Sequence, residues 1–230
     1  MSLVLIPGFM ADAGLWDDMA GALSAAGPVV HADLSRDDSI PAMARRLLAE
    51  APERVVLVGF SMGGYVAREA ARLAPERVRG LVLVATSSRP DTREQIVAKR
   101  IAVERVEAGH FAGLSRAAVA ASLHPDRAGD EAMIARIRTM GMRLGRDAFL
   151  RQSRLDRVGD GARLSAIACP TLVIAGRQDA LRGVAESEEL RDAIPGARLE
   201  IVEGSGHMLP LEAPGALAAF ILAWLGDLPP

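Results

Sequence analysis

The chain has 230 residues, half of them hydrophobic and 24% charged, a balance that supports a sizeable core and excludes global disorder. Lys and Arg total 27 against 29 Asp and Glu, so the net charge of −2 implies no nucleic-acid backbone as partner. The single cysteine, Cys169, excludes an internal disulfide and a four-cysteine zinc site.

In chain order, residues 3–6 form a continuous apolar run, which suits a strand buried on both faces of a parallel sheet. Residues 29–34 make a weaker one. Ala44, Leu47, Leu48 and Ala51 then follow helical spacing, with Arg45, Arg46 and Glu50 opposite. Residues 55–58 predict a second buried strand, and Val66, Ala70, Leu73 and Ala74 the inward face of the helix after it. Residues 81–84 predict another strand. From about residue 90 to 165 the alternation breaks: there is no convincing strand, but Met133, Ile137, Met140 and Leu144 make a helical stripe. Strands return at 172–174 and 199–202, and Leu217, Phe220, Ile221 and Trp224 predict a last helix. This pattern predicts a doubly wound, mostly parallel α/β sheet whose core is 1–89 and 166–230. Residues 90–165 are expected to form a helical cap insertion. Residues 91–165 carry a net +4 and the remainder −6.

The longest apolar stretch, 216–225, is about half of the ~20 residues a membrane helix needs. The N-terminal residues lack a positive leader, so a cytoplasmic protein without a membrane span is expected.

Residues 55–72 read VVLVGFSMGGYVAREAAR. A buried strand runs into Gly59-Phe60-Ser61-Met62-Gly63 and then into a helix, the context in which G-x-S-x-G is a nucleophile turn. The turn is expected to hold Ser61 in a strained conformation with its hydroxyl projecting from the sheet edge. Gly59 and Gly63 leave out side chains that would clash. The following helix aims its N-terminal N–H groups at a reacting carbonyl.

A serine hydroxyl needs a base, and the base needs an orienting acid. Of the four histidines, His31 lies in a strand, and His110 and His124 lie in the insertion. His207 follows a strand in the loop EGSGHMLPLE, where open α/β sheets collect their catalytic groups. Asp179 ends CPTLVIAGRQDA, just after the neighbouring strand. Its rivals are Asp91, Asp156 and Asp160. Asp179 is preferred because Ser, Asp and His then follow successive strand ends.

Four segments in order, LIPGF, VGFSMGG, CPTLVIAGRQDA and EGSGHMLPLEAP, resemble the α/β-hydrolase superfamily over essentially the whole chain. The resemblance implies Ser61 as nucleophile, His207 as base and Asp179 as acid. It also implies an oxyanion hole from the backbone N–H groups of Phe9 and Met62. The family's first-strand motif is often His-Gly, where this chain has Pro7-Gly8. The sheet is expected to be a minimal version of about six parallel strands.

The implied activity is hydrolysis of a small-molecule carboxylic ester through an acyl-enzyme, with no metal and no cofactor. Its alternatives are a C–C bond hydrolase of ring-cleavage diketones, a cofactor-free perhydrolase or haloperoxidase, and a non-catalytic ligand receptor of the same fold. Phe9, Met10, Phe60 and Met62 are expected to line the acyl pocket, with Met140, Met142 and Phe149 facing it from the cap. The positive charge of the insertion has two readings, a solvated arginine face, which is the commoner case, and an anionic substrate such as a carboxylate-bearing ester. The oligomeric state is not legible in the sequence.

Overall fold

The computed structural model describes residues 2–228. Six strands form one sheet: β1 (Ser2–Ile6), β2 (Val29–His31), β3 (Val55–Phe60), β4 (Val78–Val84), β5 (Thr171–Gly176) and β6 (Arg198–Val202). Their order is β2-β1-β3-β4-β5-β6, and every pairing is parallel. The expected doubly wound sheet of six parallel strands is the observed one. β2 is shorter than its apolar run, ending at His31.

The helices are α1 (Ala20–Ser24), α2 (Ile40–Glu50), α3 (Met62–Leu73), α4 (Arg93–Glu107), α5 (Arg116–Ala120), α6 (Glu131–Ser153), α7 (Val184–Ala193), α8 (Leu209–Glu212) and α9 (Pro214–Gly226). Their starts follow local chemistry. The Ser39 hydroxyl accepts from the N–H of Ala42 at α2, with Pro41 in the first turn. Thr92 and Gln95 exchange bonds in a capping box at α4.

Successive strand residues point to opposite faces, so each continuous run fills two cores. Leu3, Leu5, Val56, Val58, Val82 and Val84 face a cluster built with Trp16, Phe60 and the inner side of α9. Val4, Ile6, Val55, Leu57, Leu81 and Leu83 face the other, against α2, α3 and α7. Leu73, expected to point inward, is 46% exposed on the last turn of α3. Among the described residues, the segment between β4 and β5 contains no strand, as expected. Its end, with Leu155, Leu164 and Ile167, packs into the α3 side of the core.

A buried ion network ties that same end to α3. Arg68, fully buried, donates to both oxygens of Asp160 at 2.9 Å, and Arg72 donates to Asp160 at 3.0 Å. Burial alone would raise the Asp160 carboxyl, but Arg68 and Arg72 outweigh it and hold it below its ordinary value. A carboxyl lowered on folding contributes stability above its unfolded value, about 3.9, and that contribution is lost as pH falls through the folded one. We therefore expect chemical denaturation midpoints to drop from pH 7 to pH 3. Asp160→Asn should weaken that dependence and cost about 3–5 kcal/mol at neutral pH, because it leaves the fully buried Arg68 without a carboxylate, while Arg72 keeps Glu69. An unchanged midpoint in Asp160→Asn would count against this account.

Candidate active site

The strand order reverses between β1 and β3, which places the ends of those neighbours at the crevice where open α/β sheets bind ligands. Ile6 pairs with Gly59, so the loop after β1, with Phe9, and the turn after β3, with Ser61, emerge side by side. Ser61 has φ 50° and ψ −113°, the strained backbone expected of it. The turn is possible because two glycines leave room. A Cβ on Gly59 would sit 2.6 Å from the carbonyl oxygen of Gly63, and one on Gly63 would sit 2.6 Å from that of Pro7. The Thr86 hydroxyl donates to the Ser61 carbonyl at 2.7 Å and braces the turn from the end of β4.

β5 and β6 deliver the other two groups. The Asp179 side chain is fully buried, and its Oδ1 accepts from the N–H groups of Leu181 and Arg182, both at 2.8 Å. Its Oδ2 lies 2.8 Å from His207 Nδ1. His207 Nε2 lies 3.0 Å from Ser61 Oγ. The structure thus brings Ser61, His207 and Asp179 into one hydrogen-bonded chain. The rival acids are engaged or remote: Asp91 binds Lys99 and Arg157, Asp160 binds Arg68 and Arg72, and Asp156 is exposed. His31 and His110 are exposed, and His124 accepts from the N–H of Asp126.

The His207 loop is held on three sides. Its ring packs on Phe60 with centroids 5.2 Å apart, and its N–H donates to Ser122 O at 2.9 Å. Glu212 takes the N–H groups of Gly206 and Met208 on one oxygen, both at 3.1 Å, and that of His124 on the other at 2.6 Å. Burial pushes the Glu212 carboxyl above its ordinary value against these three donors. Glu212 stands inside the segment EGSGHMLPLEAP, yet nothing in its spacing marks this role.

Met62 is the first residue of α3, so its N–H has no carbonyl partner within the helix. Phe9 borders the cavity beside Ser61. The next residue, Met10, has φ 52°, and its N–H donates at 2.8 Å to Gln152 Oε1. Gln152 also donates to Leu34 O at 3.1 Å. This buried glutamine from α6 fixes the loop, and sequence reasoning missed it for lack of any motif.

A cavity of about 460 Å³ opens on Ser61 and His207. Phe9, Met10 and Phe60 line it. Met140, Met142, Phe149 and the side chain of Met62 do not. Met140 is 1% exposed in the core, and Met142, 49% exposed, lies against Gly113. Residues two apart on a helix face opposite ways, so the two could not both turn inward. The Phe149 ring meets those of Phe9 and Phe111 at a tilt, with centroids 5.8 Å apart in each pair. Met62 is buried on the other face of the sheet. Leu114, Val119 and Ile137 supply the apolar side of the cavity instead, with Lys99, Arg157 and Arg182 at its polar part.

Comparison with known proteins agrees with this architecture. A model of the alpha/beta hydrolase family matches residues 3–220. A pimeloyl-[acyl-carrier protein] methyl ester esterase of Aromatoleum aromaticum is 31% identical over 81% of this chain and 80% of its own length. One of Edwardsiella ictaluri is 41% identical over 93 residues, a match that spans 37% of this chain and 36% of that relative. A solved structure of a thermophilic esterase from Thermogutta terrifontis, with malate bound, superposes with a TM-score of 0.84 at 26% identity, covering 99% of this chain and 90% of that one. Among the described residues no helix is long and apolar enough to cross a membrane.

Proposed function

The chain belongs to the alpha/beta hydrolase family, and on that premise we propose that it hydrolyses a small-molecule carboxylic ester through an acyl-enzyme on Ser61. The observation that carries this reading is the continuous contact from Ser61 Oγ through His207 to Asp179 at the wall of a largely apolar cavity.

In this mechanism His207 Nε2 takes the Ser61 proton as Oγ attacks the ester carbonyl. The N–H groups of Met62 and Phe9 hold the oxyanion. Preorganised donors of this kind contribute about 10²–10³ in turnover each. The protonated His207 then gives its proton to the departing alcohol, leaving the acyl group on Ser61. A water, deprotonated by His207, attacks that acyl group and releases the acid with Ser61 restored. Asp179 holds Nδ1–H throughout, so that Nε2 keeps its lone pair toward Ser61.

The insertion acts as a cap. It supplies Leu114, Val119, Ser122 and Ile137 to the cavity and so sets which acyl and alcohol groups fit. The substrate is a small molecule, held in a cavity of about 460 Å³. The esterase names of the relatives agree with this reaction class.

The test is labelling with a fluorophosphonate probe followed by peptide mapping. We expect covalent modification of Ser61 in the folded chain. No labelling under conditions that modify a known serine esterase would overturn the hydrolase reading and favour a ligand receptor on the same scaffold.

A further inference from the structure

Most arginines of the insertion are spent at the surface. Arg116 pairs with Glu131, Arg136 with Asp18, Arg143 with Asp12 and Arg154 with Glu107. The net charge of the segment therefore says little about the site. Two of its cations are different: Lys99, the only lysine of the chain, on α4, and Arg157, beyond α6, both reach the cavity wall. A third, Arg182, comes from the loop that carries Asp179.

Their pairing is incomplete. Lys99 and Arg157 share one carboxylate, Asp91, whose side chain is 6% exposed. Lys99 has one further acceptor, Leu155 O at 3.2 Å. Arg157 Nε is buried with no hydrogen-bond partner among the described residues. Arg182 has a single long contact, 3.4 Å to Glu186. Side-chain exposures are 21, 15 and 10% for Lys99, Arg157 and Arg182, so water screens them poorly. Burial lowers the Lys99 ammonium, and the Asp91 contact offsets this only in part, while Arg157 and Arg182 push it further down. Three cations from three separate elements thus line one largely apolar cavity. Among the described residues, Asp91 and Glu186 are the carboxylates in ion pairs with them. A cation network made only to pin the insertion would have no reason to recruit Arg182 from the Asp179 loop.

We propose that Lys99, Arg157 and Arg182 form a carboxylate subsite, so that the preferred substrate is an ester bearing a second, ionised acid group. The ester part rests on the hydrolase reading above, whereas the charge part rests on the cavity alone. The three side chains supply donors of both kinds that suit a carboxylate, a planar fork from arginine and a point charge from lysine.

The test compares kcat/KM within two matched pairs. One is monomethyl adipate against its primary monoamide, with the charge on the acyl side. The other is acetylated hydroxybutanoate against its primary amide, with the charge on the alcohol side. We expect the charged member of at least one pair to be favoured by about tenfold or more, the scale of a charge-assisted hydrogen bond. Which pair responds locates the subsite relative to the ester. The ratio should fall toward one in Arg182→Gln and in the double substitution Lys99→Gln with Arg182→Gln. Arg182→Gln keeps the backbone N–H that holds Asp179, and its side chain loses only one long contact, so it is the variant least exposed to misfolding. Ratios near one in both pairs, or a preference that survives Arg182→Gln and the double substitution unchanged, would overturn the subsite while leaving the hydrolase reading intact. If no ester is turned over, the hydrolase reading fails and the same pairs are titrated by NMR. Tighter binding of the charged member then supports the subsite, and equal binding overturns it.

Discussion

Ser61→Ala is expected to lower kcat/KM for ester hydrolysis by about 10⁴-fold or more, with the fold and its denaturation midpoint unchanged. The size follows from what the hydroxyl does. Without Oγ no acyl-enzyme forms, and water would have to attack unassisted from a position that the site does not build. The Cβ stays, so the crowded turn between Gly59 and Gly63 keeps its packing. The strain at φ 50° is the same for alanine as for serine. The measurement is turnover of a nitrophenyl ester by each purified chain, with circular dichroism as the folding control. Activity above a few per cent of the natural chain would remove Ser61 from the mechanism.

Asp179→Asn should cost about 10⁴-fold in kcat, and for a reason visible in the hydrogen bonds. Oδ1 is already committed as acceptor to the N–H groups of Leu181 and Arg182. An asparagine in that pocket must turn its oxygen to those two donors, which leaves the amide nitrogen facing His207 Nδ1. A donor there requires Nδ1 to accept, so the ring proton moves to Nε2. Nε2 then presents N–H to Ser61 and has no lone pair with which to take the hydroxyl proton. The variant should therefore bind ester with a KM close to that of the natural chain while its turnover collapses. Near-normal kcat in Asp179→Asn would mean that the orientation of the imidazole is not what limits the reaction.

How much of this was legible in the sequence depends on how local the cause is. The strands of 3–6, 55–60 and 172–174 could be read because burial on both faces demands unbroken Val, Ile and Leu, and each run carries that demand within itself. Ser61 could be read because its turn needs Gly59 and Gly63 at fixed offsets. His207 and Asp179 could be read because strand ends of neighbouring strands share one edge. The cavity wall could not. A helical stripe says that Met140 is buried, not whether it meets the cavity or the core. Phe149 is apolar and buried, yet it packs against Phe9, which lines the cavity, and does not line it itself. Gln152, Glu212, Lys99 and Arg157 act through partners far away in the chain. Glu212 reaches His124 across 88 residues, and Gln152 reaches Met10 across 142. No spacing rule records such a meeting.

The attachment between the His207 loop and the insertion has a mechanical consequence. Three bonds stitch residues 122–127 to residues 207–212: His207 N–H to Ser122 O, His124 N–H to Glu212 and Arg127 to Glu212 O. Lifting residues 122–127 off the His207 loop would break these three bonds, whereas a swing that kept them would carry the imidazole away from Ser61.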